Sequence, residues 1–385
     1  MARRVSVCIL LCLLSAVCMG AAPLVAPRAS ADDPGVSGAS SGAVGATAEE
    51  SQVSAQGGMR SIQGVPRLRF GQWKDCTYGG AVTVLMDTIG VPVTYEDVMG
   101  LSGACYRICM KEDWCPSAGM PQCGYDVETP LYKALGFEVY RIRDDKERRE
   151  KVVACIDKGI PVLAGEQRGN PEWGLITGYA DNGRVLYGRT YDDAGGAKPE
   201  EVFTDDKYFL ADKYPGFDVQ FFDRKTEPVA PKAALKRSLE TCLGALHQGP
   251  SEDGYVRGYQ AYGLWIRGLE DPEKFKEFPA GTNGYHLDCL RDARRCAYIY
   301  LEKSLPLLEG ENRRRLQKAA GLYRAMFDKL MAVAPYEGTE TSFNGKVEDW
   351  DMRKREEFAN VLREVCAMEK QAEAEFRAIL AGWSG

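Results

Sequence analysis

The chain has 385 residues, of which 27% are charged and 45% hydrophobic, with a formal net charge of -6. That length suits about two to three domains, and that balance suits a globular protein. An acidic chain lacks the basic excess that nucleic acid or an anionic membrane surface selects, so neither is expected as a partner.

The first residues read as a targeting segment. Arg3 and Arg4 supply a positive region, and Val5 to Val17 is apolar but short for a bilayer span. Ala29-Ser30-Ala31 offers the small-x-small pattern of a cleavage site, and Gly20-Ala21-Ala22 is a second candidate. We therefore expect a signal peptide over 1–31 and an exported protein, at the cell surface, in a periplasm or outside the cell. Lipid attachment through Cys18 is the alternative, although Val17 is larger than such sites prefer; an uncleaved anchor is the bland one. Residues 32–58 are rich in Gly, Ser, Ala and Val without an apolar period, which predicts a flexible linker.

From 59 to 226 helical and strand signals alternate. Asp75 is placed to cap a helix from Cys76 to about Thr88, with Val82, Leu85 and Met86 on its apolar face. Gly79 and Gly80 cost helix propensity, which points to close backbone approach. Thr94 followed by Asp97 reads as a capping box for a short helix to Leu101. A helix over 127–135 stops at Gly136, a strand follows over Phe137–Ile142, and a charged helix over 145–158. Strand-like runs then occupy Pro161–Ala164, Trp173–Tyr179 and Arg184–Arg189. Asn182-Gly183 between the last two is a hairpin signal, because both residues tolerate positive φ. Glu201–Leu210 and Phe217–Phe222 extend the sheet. Helices first and an antiparallel sheet after them predict an α+β domain.

Glu227 to Pro231 marks a boundary, after which the pattern is helical to the end. Leu235, Leu239, Leu243 and Leu246 share one face; Tyr255, Tyr259, Tyr262 and Ile266 form another stripe; Phe358, Leu362, Val365, Phe376 and Ile379 a third. These stripes are read as core, and residues 227–385 as an all-α domain of five or six helices.

Chemistry centres on Cys76. A helix N-terminus stabilises a thiolate, Gln72 four residues earlier is placed to present an amide, and a backbone N–H at the helix start supplies a second oxyanion donor. Against this stands the ordinary reading of cysteine as a small buried apolar group. The order of Gln72, Asp75-Cys76, a small-residue helix, and later a strand ending Thr177-Gly178-Tyr179 with a hairpin resembles papain-like cysteine domains of the C39 peptidase type. It is also similar to the N-terminal domain of the butirosin-biosynthesis acyltransferase group, over about residues 65–222. The helical part, with Gly258-Tyr259-Gln260-Ala261-Tyr262 and Arg291-Asp292-Ala293-Arg294-Arg295, resembles the C-terminal part of uncharacterised relatives of that group.

The resemblance implies a papain-like fold and acyl chemistry on a small amide, peptide or acyl substrate, without a cofactor or metal. It also implies a histidine base on the hairpin's first strand and an Asn or Asp that orients it. Here the pattern departs. Glu172 or Trp173 stands at the histidine position, and Gly188-Arg189-Thr190 at the orienting position, with Asp192 and Asp193 close behind. Desolvated, Glu172 could accept the thiol's proton; ionised beside Cys76, it would oppose thiolate formation. Its bland role is to pair with Arg168 or Arg189. The chain holds only two histidines. His286 is expected at a helix start, within reach of the cleft or as a surface capping group; His247 reads as a helix C-terminal partner. Two readings stay open: an enzyme acting through Cys76, Gln72 and Glu172, or a binding protein on the same fold that has lost the base. A purely structural module is the third.

Ten cysteines follow the targeting segment, from Cys76 onward. Residues 105–123 read CYRICMKEDWCPSAGMPQC, with gaps of three, five and seven residues. No CxxC occurs, so disulfides fit an exported chain better than zinc, and the segment is expected to form a stiffened loop over the site. Cys289 and Cys296 lie two helical turns apart and should not bond to each other. No phosphate loop, dinucleotide fingerprint, GxSxG or HExxH appears.

Overall fold

A computed structural model describes residues 53–385, apart from 57, 70, 71, 121, 122, 124, 166–171, 192, 194–197, 204–217, 337, 339–344, 384 and 385. The expected signal peptide, with Cys18 and both cleavage candidates, lies outside the described residues, as does the expected linker up to residue 52.

The last residues assigned to that linker are a strand. β1 (Val53–Gln56) pairs antiparallel with β2 (Met59–Ile62), Val53 opposite Ile62, and Gly58 turns between them at φ 83°. The hairpin extends a sheet edge through backbone hydrogen bonds, which need no apolar alternation, so its sequence carries little strand signal.

Four helices and the rest of the main sheet follow. The helices are α1 (Thr77–Thr88), α2 (Tyr95–Leu101), α3 (Glu128–Leu135) and α4 (Asp145–Asp157). Two short 3-10 turns, Ala104–Tyr106 and Pro116–Gly119, flank β3 (Cys109–Met110). The strands are β4 (Phe137–Tyr140), β5 (Val162–Gly165), β6 (Trp173–Ala180), β7 (Val185–Arg189), β8 (Glu200–Phe203) and β9 (Val219–Lys225). All pairings are antiparallel, and β6 is the central strand. Its first half pairs with β5, Val162 opposite Ile176, and its second half with β2, Gly178 opposite Ser61. β7 lies along its other edge, joined by a turn in which Asp181, Asn182 and Gly183 all have positive φ. α1 packs across β6 and β5.

The local signals for these elements are physical. Thr94 accepts from the Asp97 N–H at 3.3 Å while Asp97 accepts from the Thr94 N–H at 3.0 Å, closing the capping box. Gly136 ends α3 at φ 76°, ψ 49°, the left-handed conformation glycine adopts without strain.

The helical part contains α5 (Pro231–Leu246), β10 (Val256–Arg257), α6 (Tyr259–Glu270), α7 (Glu277–Ser304), α8 (Gly310–Met331) and α9 (Met352–Ala381). α8 packs between α7 and α9, and α9 also covers α5 and α6. Leu235, Leu239 and Leu246 of the first leucine stripe are buried, as are Phe358, Leu362, Val365, Phe376 and Ile379 of α9. The boundary near 227 marks a change from strands to helices, with Pro231 at the first turn of α5. The two segments share one hydrophobic core, and Ser51–Gly385 form one compact unit. α7 is the joint: it packs against α2 and against both 3-10 turns. β10 pairs with β3, Arg257 opposite Cys109. The described part of the cysteine-rich segment is thus held against α7 and β10.

Gly258, at the entry to α6, has φ 57° and ψ -138°, and a Cβ there would lie 2.2 Å from the Leu246 carbonyl oxygen. Only glycine fits both the conformation and the gap. Gly258→Ala should therefore cost about 3 kcal/mol or more in urea unfolding, whereas Gly244→Ala, with open space around its Cβ position, should be neutral or stabilising.

Candidate functional site

Cys76 itself is the N-cap of α1, in place of the expected Asp75. Its Sγ accepts the Gly79 N–H at 3.3 Å. Asp75 is drawn elsewhere: Tyr336 donates its hydroxyl to Asp75 Oδ2 at 2.7 Å, and the Asp75 N–H points to Asp292 Oδ2 at 3.3 Å. The Cys76 N–H donates to Tyr95 Oη at 2.9 Å, and Tyr95 in turn donates to Asp292 Oδ2 at 2.6 Å. A network reaching from α7 and Tyr336 therefore fixes the backbone on either side of the thiol. Trp73, at φ 59°, stacks on Tyr336 with centroids 3.8 Å apart and donates its N–H to the Tyr336 hydroxyl at 3.1 Å.

The two glycines of α1 answer to close neighbours. A Cβ on Gly80 would meet Tyr191 Oη at 2.3 Å, and one on Gly79 would meet the Tyr95 ring at 3.0 Å. Tyr191 donates to the Thr77 carbonyl at 3.0 Å, so a ring from beyond β7 lies across the helix start.

The helix start was expected to make Cys76 acidic. Instead burial pushes the thiol up to about 12. The Arg107 guanidinium and the Gly79 N–H pull it down, and Asp292 and Glu172 push it up again. The residue is 4% exposed, and desolvation of a thiolate outweighs one backbone hydrogen bond and a partial dipole charge. Cys76 is therefore a protonated thiol at neutral pH.

Glu172 does stand beside this helix start. It is half-buried, just before β6, and its Oε2 accepts the Thr77 hydroxyl at 2.6 Å. Gln72 lies on the bend before α1 and is exposed, while the thiol is buried. Arg189 pairs with Asp193 at 2.8 Å; Arg168 and Asp192 lie outside the described residues.

His286 is not at a helix start. It lies nine residues into α7, 4% exposed, and its ring nitrogens make no well-formed hydrogen bond, although the Cys115 and Pro116 carbonyls face it. Burial, reinforced by Arg107, lowers its pKa to about 4, so it is neutral. The periodicity of 277–304 contains Gly281 and Gly284, which hid the helix N-terminal to His286. His247 caps the C-terminus of α5 and meets Glu373 at 2.7 Å.

Three residues that sequence reasoning passed over shape the site. Asp292 is buried, and burial raises its pKa to about 6. Arg107 and Cys289 stand close to each other beneath Gly119, where a Cβ would lie 3.2 Å from Cys289 Sγ. The early sign of Arg107 was an arginine inside an otherwise apolar run, which marks burial without saying against what; Asp292 sits in the charged run Arg291–Arg295, which gave no such sign. Cys76, Cys105, Cys109, Cys155, Cys242, Cys289 and Cys296 are buried free thiols. Among the described residues, no group of His, Cys, Asp and Glu could hold a metal ion, and no helix is long and apolar enough to cross a membrane.

Neither a scan against protein-family models nor a search of curated proteins returns a match.

Proposed function

We propose that the protein is an exported, papain-like thiol protein that has lost its acid–base machinery and works by recognising a peptide or small amide. The papain-like reading rests on α1 packed across β6 and β5, and on the β6–β7 hairpin. Export rests on the leader with Arg3, Arg4 and the apolar run behind them. On this reading the partner is neither nucleic acid nor a bilayer once the leader is removed.

One observation carries the loss of chemistry: the hydrogen bond to Cys76 Sγ comes from the Gly79 N–H, and among the described residues no base bonds the thiol. Glu172 is engaged with Thr77, and His286 is a neutral core residue. A thiol with a pKa near 12 and no base is about 10^5-fold short of thiolate at pH 7. Glu172 and the exposed Gln72 remain as a carboxylate and an amide flanking the helix start, suited to the N–H and C=O groups of an amide ligand.

A second reading, acyl hydrolysis or transfer through Cys76, is favoured by the Gly79 N–H aimed at Sγ and by the nearby Arg107 charge. Turnover separates the two. Purified protein and its Cys76→Ser variant should show the same background rate on a panel of peptide anilides and acyl thioesters. Hydrolysis above background that Cys76→Ser abolishes would establish the enzyme.

A further inference from the structure

Arg107 is a buried cation, 6% exposed, and no carboxylate lies within ion-pairing distance of it among the described residues. Its guanidinium donates to the Gly119 carbonyl and, at 3.4 Å, to that of Ala118, while Nε–H has no acceptor. Neighbouring carboxylates are committed elsewhere: Asp288 to Arg291 at 2.7 Å, and Asp292 to Tyr95. A buried charge without a counter-charge is costly, and proteins normally compensate it.

Next to Arg107 lies a cavity of about 20 Å³, lined also by His286, Cys109, Cys289, Trp265 and Ala118. It holds one atom of water or halide size. His286 lines the same space; its ring nitrogens make no well-formed hydrogen bond, although the Cys115 and Pro116 carbonyls face the ring, so a neutral imidazole has an N–H available to the cavity. The thiols of Cys109 and Cys289 are held protonated by burial, so neither serves as the counter-ion, and each offers a weak S–H donor.

We propose that this cavity binds a single small monovalent anion of chloride size, held by Arg107 Nε–H and an N–H of His286. The anion's role is to neutralise the cation that sits where the cysteine-rich segment meets α7.

Thermal unfolding of the whole chain at fixed ionic strength tests this. Sodium chloride or bromide should raise the midpoint saturably by about 2 °C over sodium gluconate. Arg107→Met should remove the halide difference; a difference that survives in that variant would overturn the proposal. Should Arg107→Met fail to fold, crystals of the unmodified protein soaked in bromide decide. An anomalous peak between Arg107 and His286 is expected. Its absence, or equal midpoints in chloride and gluconate, would mean the cavity holds water only.

Discussion

Arg294→Met is expected to destabilise the folded chain by about 3–5 kcal/mol in urea unfolding. Arg294 and Glu369 are both fully buried. The guanidinium meets Glu369 Oε2 at 2.9 Å, and its other nitrogen donates to the carbonyls of Cys105 and Arg107, each at 3.0 Å. Glu369 also accepts the hydroxyls of Tyr262 at 2.6 Å and Tyr323 at 3.2 Å. Methionine would leave a carboxylate buried without its cation and two carbonyls without donors, hence the size of the effect. Replacing both charges, Arg294→Met with Glu369→Leu, should recover much of the loss, because desolvation offsets most of a buried pair's attraction. A second readout is local. Arg294 ties residues 105–107 to α7, so the variant should speed amide exchange there more than in the sheet.

His286→Phe is expected to protect the protein against acid. Native His286 has its pKa lowered to about 4, against an unfolded value near 6.5. A base with a depressed folded pKa contributes stability above the unfolded value and loses it as pH falls toward the folded one. Wild-type stability relative to His286→Phe should therefore drop by roughly 3 kcal/mol between pH 7 and pH 4. The groups facing the ring are Arg107, which works in the same direction, and the peptide carbonyls of Cys115 and Pro116, which oppose it. Paired urea titrations across that range measure the difference. A constant gap between the two proteins would show that His286 is not desolvated. Phenylalanine also matches the apolar setting, where Trp265 already meets the His286 ring edge-on at 5.8 Å.

How much of this was legible depends on the range of the interaction. Thr94 and Asp97 announced their capping box because the two residues that make it are three apart. Gly136 and Asn182-Gly183 announced their turns because backbone conformation is a local property. The leucine stripe of α5 announced a buried face because 3.6-residue periodicity is local too. The site did not follow from such signals. Asp75 looks like a cap for α1, yet a tyrosine 261 residues later takes its carboxylate, and Cys76 caps the helix instead. The dipole argument predicted an acidic thiol, but the burial that reverses it comes with Tyr95 and with Asp292 of α7, neither of them adjacent in sequence. His286 was misread for a related reason. Gly281 and Gly284 look like a break, whereas tertiary packing continues the helix through them. The strand at 53–56 escaped notice because an edge hairpin is held by backbone pairing, which composition does not record.

The central claim is that Cys76 is a buried, protonated thiol without a base. Alkylation of the native protein by iodoacetamide, followed by mass-spectrometric mapping at a series of pH values, tests it most directly. Cys76 should stay unmodified at pH 7.5 over times that label it fully in 6 M guanidinium, and native labelling should rise only toward strongly alkaline pH. Rapid native alkylation of Cys76 with a midpoint below pH 8 would contradict the account and restore the nucleophile.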